Sequence, residues 1–209
     1  MNSLVALSLV GLLGFVAAKP FDSTELLDVN EIKQQIKEVA ELADNTPSEK
    51  KILYGKLVRL ALDRTKNADE KVEESLNIAK KLGEEVPEEE EAKANIKIVF
   101  TICDNLLKYY DSEILPKITS PRVEKLFVEG EKIIVNVFEF LKKSEQERNA
   151  IIDDLLGNLG LFDIVELATI SQKLQEKAEE LISEQINVKN MMNQFAAQLN
   201  KQTDANRLD

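Results

Sequence analysis

From about residue 22 onward, apolar side chains recur every three or four positions, and no stretch alternates strictly between apolar and polar. That spacing lines one side of a helix, whereas alternation would mark a strand. The punctuation between the periodic stretches predicts the helices one by one. Asp22–Asp44 carries Val29, Ile32, Ile36, Val39 and Ala43 on one side. Thr46-Pro47-Ser48-Glu49 reads as a helix start, with Thr46 as cap, Pro47 in the first turn and Glu49 reaching back to the Thr46 amide. This second helix is expected to run to about Asn67, with Leu53, Leu57, Leu60 and Ala61 inward. A third covers Asp69–Leu82, shows Val72, Leu76 and Ala79, and stops at Gly83. A fourth begins in the second half of the acidic run Glu84–Glu91, where carboxylates oppose the positive end of the helix dipole. It continues to about Tyr110 with Ile96, Val99, Phe100, Cys103, Leu106, Leu107 and Tyr110 inward.

Pro116 and Pro121 bracket a connector, and Ser120-Pro121 opens a fifth helix. Val123, Leu126, Phe127, Gly130, Ile133, Ile134, Val137, Phe138 and Leu141 share one face of it, and Val128, Val135 and Phe140 widen that face. A helix so apolar is expected in the middle of a bundle. Ser144-Glu145-Gln146-Glu147 is a second capping box, opening a short helix that ends at Gly157-Asn158-Leu159-Gly160.

The last helix has its own pattern. Asp163-Ile164-Val165-Glu166 can cap it, and neither Gly nor Pro occurs from Leu161 to the end. Leu167, Ser171, Leu174, Ala178, Leu181, Gln185, Val188, Met192, Phe195 and Leu199 succeed one another at alternating spacings of four and three. That is a heptad seam, weak in one of its two rows. At 1.5 Å per residue, Asp163 to Leu199 spans about 55 Å, long enough to overhang a bundle.

Before the periodic region, Leu4–Val16 is apolar apart from Ser8 and small residues, and ends in Val16-Ala17-Ala18. It is too short to cross a bilayer, which takes roughly 20 residues, and it has the form of a secretory leader cleaved after Ala18. The expected organisation is therefore a signal peptide at 1–18 and a single all-helical domain of six to seven helices at 19–200. The long helix occupies 161–200 of that domain, and a frayed tail comes after it at 201–209.

Composition narrows the chemistry. The 209 residues hold 27 Lys and Arg against 38 Asp and Glu, for a net charge of −11, with no His, no Trp and one Cys. Without His there is no imidazole base or His-ligated metal, and one Cys makes neither an internal disulfide nor a thiolate zinc site. Gly55, Gly83, Gly130, Gly157 and Gly160 are the only glycines after the leader, too few for nucleotide-binding loops. The expectation is a protein that is not an enzyme and holds no cofactor or metal. Cys103 lies among Val99, Phe100, Ile102, Leu106 and Leu107 and reads as a buried free thiol.

Several features remain as candidate sites. The acidic run reads as a solvated helix start, because a row of Glu does not converge oxygens on calcium. Lys51, Lys56, Arg59 and Lys66 share the polar arc of the second helix and could face an anionic partner, but an acidic chain without an aromatic platform does not point to nucleic acid. Asp153-Asp154 carries no catalytic signature in its spacing alone. Phe127, Phe138, Phe140, Met191, Met192 and Phe195 are candidates to line an apolar ligand cavity. Lys173, Glu176 and Glu180 mark the outer face of the last helix as a partner-binding surface. Leu167, Leu174, Leu181, Val188, Met192 and Phe195 form a self-association seam, or else close the chain's own bundle.

With its leader, size and helicity, the chain resembles the cysteine-poor helical proteins of invertebrate salivary, venom and body-fluid secretions. More distantly it is similar to nematode fatty-acid- and retinol-binding proteins. The leading expectation is a secreted, acidic, non-catalytic helical protein that binds an extracellular protein partner and does not insert stably in membranes. The alternatives are a carrier of a small apolar ligand such as a fatty acid, and a self-associating structural protein, a homo-oligomer.

Overall fold

Asp28 stands in extended backbone and accepts from the Asn30 and Glu31 amides, at 2.9 and 3.2 Å, so the first described helix starts there. The computed structural model describes residues 28–83 and 89–205, with 89, 91 and 186–205 as backbone alone. The leader, positions 22–27 of the first expected helix, most of the acidic run and the last four residues lie outside the described residues.

Eight α-helices are arranged along the described chain: α1 Val29–Asp44, α2 Ser48–Leu62, α3 Ala68–Lys81, α4 Glu89–Tyr109, α5 Pro121–Val135, α6 Val137–Leu141, α7 Glu145–Leu156 and α8 Leu161–Ala205. No strand occurs among the described residues. The protein is an all-α helical bundle with a long C-terminal helix. No helix among the described residues is long and apolar enough to cross a membrane.

Most helix ends obey local chemistry. The Ser144–Glu147 capping box is formed, and a second one joins Asn67 to Glu70 at the start of α3. The Thr46–Glu49 box is not formed. Thr46 turns back and donates its hydroxyl to the Leu42 carbonyl at 3.0 Å, closing α1, and α2 begins after Pro47 without a side-chain cap. Nor does α2 reach Asn67. It stops at Leu62 because Asp63 is extended and its carboxylate takes the Thr65 amide and hydroxyl, at 2.8 and 2.6 Å. The fifth expected helix is two. At Asn136, after the branched run Ile133-Ile134-Val135, the backbone leaves helical geometry and the side-chain amide donates to Lys132 O at 3.1 Å. Between α4 and α5 the chain forms a π-helical turn, Tyr110–Ile114, then a 3₁₀ turn, Leu115–Lys117.

The centre belongs to α2 and α4 rather than to α5. Helix α2 packs on α3, α4, α5 and α6 and buries Gly55, Leu57, Val58, Leu60 and Ala61. Helix α4 packs on α2, α3 and α8, and buries Phe100 and Cys103. Within α5 only Val123 is fully buried, while Val128 stays exposed. Helix α1 lies against α6 and α7, where Ala40 and Ala43 meet Phe140 and Leu141. Its stripe is rotated from the expected one, since Val39 is 46% exposed.

Candidate partner-binding surface

Helix α8 is held down at its start by two carboxylates. Asp163 accepts the Ser120 hydroxyl at 2.5 Å and the Gly160 amide at 2.7 Å, with the Arg122 guanidinium at 3.5 Å. Glu166 accepts the Thr119 amide and hydroxyl, both at 2.7 Å, and the Ser120 amide at 2.9 Å. These bonds fasten α8 to the connector that leads into α5. The Ser120 hydroxyl, helped by the Gly160 amide, holds the Asp163 carboxyl below its usual range. Partial burial pushes the Glu166 carboxyl up, but its three hydrogen bonds together bring it below its ordinary value.

With 163 and 166 committed inward, helical geometry fixes the rotation of the rest of α8. Leu167, Ile170, Leu174 and Leu181 are buried, and the last three share a cluster with Leu106 of α4, Ile114 of the π turn and Val123 of α5. Thus Leu167, Leu174 and Leu181 of the heptad seam are occupied by the chain's own core. The seam's continuation through Val188, Met192 and Phe195 lies outside the described side chains.

The same rotation turns three apolar residues outward. Leu161 is 70% exposed, Phe162 89% and Val165 57%. At 3.6 residues per turn, Phe162, Val165, Thr169, Lys173, Glu176 and Glu180 fall within an arc of about 80°. Lys173, Glu176 and Glu180 are all exposed, as the outer-face expectation requires. The heptad pattern marks those three positions as outward but does not single out Leu161, Phe162 and Val165. A signal was present: counted back from Leu167, the seam's spacing arrives at Ile164 and leaves Phe162 and Val165 out of register.

Beside this face lies a shallow cleft of about 200 Å³, lined by Glu113, Ile114, Lys117, Glu166, Thr169, Ile170 and Lys173. Lys117 is engaged there by Glu113 at 2.6 Å. A second depression, of about 270 Å³ between α3 and α4, is crossed by ion pairs, Lys97–Asp69 at 2.6 Å and Lys93–Glu73 at 3.6 Å.

The other candidates are dispersed or engaged. Phe127 pairs with Tyr110, with ring centres 5.7 Å apart, whereas Phe138 and Phe140 belong to the cluster under α1. They do not line one space, and Met191, Met192 and Phe195 lie outside the described side chains. The basic arc of α2 shrinks to Lys56 and Arg59: Lys51 is half-buried, and Lys66, beyond the helix end, pairs with Glu74. Arg64 is clamped between Asp111 at 2.7 Å and Glu131 at 2.6 Å. Asp153 and Asp154 reach in different directions, to Lys33 of α1 at 2.5 Å and Lys125 of α5 at 2.8 Å. No group of His, Cys, Asp or Glu among the described residues is arranged to hold a metal. Compared with family models, curated proteins and solved structures, the chain matches none.

Proposed function

We propose that this is a secreted, non-catalytic protein that binds an extracellular protein partner through the outer face of α8. The observation that carries the reading is the exposed apolar group Leu161, Phe162 and Val165, continuous along one arc with Lys173, Glu176 and Glu180. A phenylalanine left 89% exposed on a rigid helix loses burial that a core position would give it, and such patches mark interaction sites. The non-catalytic part of the reading is supported by the absence of His and by the state of the carboxyls. Those held below their usual range, Asp63, Glu113, Glu147, Asp163 and Glu166, all cap a turn or helix, tie a connector or close an ion pair. Secretion rests on the leader-like segment at 1–18.

The test is site-specific photocrosslinking in extracellular fluid from the source. A benzoylphenylalanine at 162 or 176 should give one protein adduct of defined mass, and the same probe at Glu139 of α6 should give none. Equal labelling from all three positions would remove the surface assignment. Sequencing the amino terminus of the exported chain tests the cleavage after Ala18.

A further inference from the structure

The arc that begins with Phe162 changes character along its length. Widened to about 140°, the face holds apolar Leu161, Phe162 and Val165, neutral Thr169 and Gln172 and basic Lys173, and from position 176 carboxylates take over, with Glu176, Glu179, Glu180 and Glu184 all exposed. Among the described residues, Lys177 alone offsets them directly, at 2.9 Å from Glu180. Glu176 and Glu179 are hydrogen-bonded to Gln172 and Gln175, which orient them without neutralising them. With Asp163 and Glu166 turned inward, the outer side of Leu161–Gln185 sets Lys173 and Lys177 against Glu176, Glu179, Glu180 and Glu184, a net charge of −2.

This polarity selects the occupant. A second copy of the same face is a poor one. Laid parallel, it sets carboxylate against carboxylate; laid antiparallel, it sets Phe162 and Val165 against the partner's carboxylates. An anionic lipid surface meets the same repulsion. We infer that the outer face of α8 docks a basic amphipathic segment of another protein, its apolar residues on Phe162 and Val165 and its Lys or Arg side chains along Glu176, Glu179, Glu180 and Glu184. The distance from Val165 to Glu180 along the axis is about 22 Å, or some four turns of a docked helix. A helix-on-helix contact of this kind takes its affinity from the apolar anchors and its choice of partner and orientation from the charges. The inference rests on the reading of α8 as the binding face and adds the chemistry of what binds.

The experiment titrates the full chain into a fluorescent Leu/Lys peptide of about fourteen residues, patterned as an amphipathic helix. Binding should fall about tenfold or more in Phe162→Asp and in the double variant Glu176→Lys/Glu180→Lys, and should weaken with added salt. Glu129→Lys/Glu139→Lys, with the same charge change on α5 and α6, should bind as the parent does. If a Leu/Glu peptide of the same pattern binds in a Phe162-dependent way, the surface stands and the basic class is overturned. If vesicles of phosphatidylcholine and phosphatidylglycerol take up the protein in a Phe162-dependent way, the face belongs to membranes and both readings fall. They fall equally if no probe shows dependence on Phe162.

Discussion

Lys71 of α3 donates to the carboxylate of Asp104 on α4 from wholly inside the core. The same ammonium reaches the Ala61 carbonyl at the end of α2, at 3.2 Å, and lies 6.0 Å from the centre of the Phe100 ring. One cation thus joins three helices. The two partners are not equivalent, since Lys71 is 0% exposed and the Asp104 side chain 16%. Asp104→Leu strands a charge with no route to water and should cost about 3–5 kcal/mol. Lys71→Met keeps the aliphatic stem and leaves an aspartate that water can reach, so its loss should be about 1–3 kcal/mol. The double variant should be more stable than Asp104→Leu alone. Urea melts followed by circular dichroism decide, and equal losses from the two single variants would refute the asymmetry.

Cys103 is a buried, unpaired thiol packed on the same face of α4, and burial pushes it up to about 12. The thiolate is the reactive form, so the folded protein should resist thiol reagents near neutral pH. A disulfide-exchange reagent should react at the rate of global opening, and at full speed in denaturant. Fast labelling of the folded chain would show that α4 opens locally.

The capping residues were readable because their chemistry is local: Ser144 with Glu147 needs nothing beyond three positions. Thr46 with Glu49 has the same form and fails, because Thr46 bonds back to Leu42 and the close of α1 takes the hydroxyl. Seam leucines 167, 174 and 181 were readable as apolar, but the pattern could not tell an intermolecular partner from Leu106, Ile114 and Val123 of the same chain. Lys71 was invisible, since its burial is set by Asp104, thirty-three positions away. Phe162 is legible only as a residue out of the seam's register; its exposure follows from the rotation set by the buried Ile170, Leu174 and Leu181 and by the Thr119 and Ser120 donors to Glu166 and Asp163.

Two glycines should respond in opposite directions. Gly83 closes α3 at φ 76°, where a side chain is strained, so Gly83→Ala should cost about 1–2 kcal/mol. Gly130 sits inside α5 with nothing within 4 Å of where a Cβ would be, and Gly130→Ala should add about 0.5–1 kcal/mol. Thermal melts of the two variants beside the parent measure both. A destabilised Gly130→Ala would mean that α5 needs flexibility at that position.

The clasp at the start of α8 predicts how acid acts on the fold. Asp163 and Glu166 are held below their ordinary values of 3.8 and 4.5 by donors from Ser120, Gly160, Thr119 and Arg122. A carboxyl depressed in the folded state binds fewer protons than in the unfolded chain. Its stabilisation is therefore complete above the ordinary value and is lost as pH falls through the folded one. The melting temperature should hold nearly level from about pH 7 to about pH 5 and drop steeply below about pH 4. Glu166→Gln, which retains one acceptor oxygen for the Thr119 and Ser120 donors, should melt lower near neutral pH and show a smaller acid drop than the parent. Ser120→Ala should do the same through Asp163, because it removes the nearest donor to that carboxylate and the cap of α5 together. A Glu166→Gln protein with the parent's neutral stability and its full acid drop would mean that the connector, not the carboxylate, holds α8 in place.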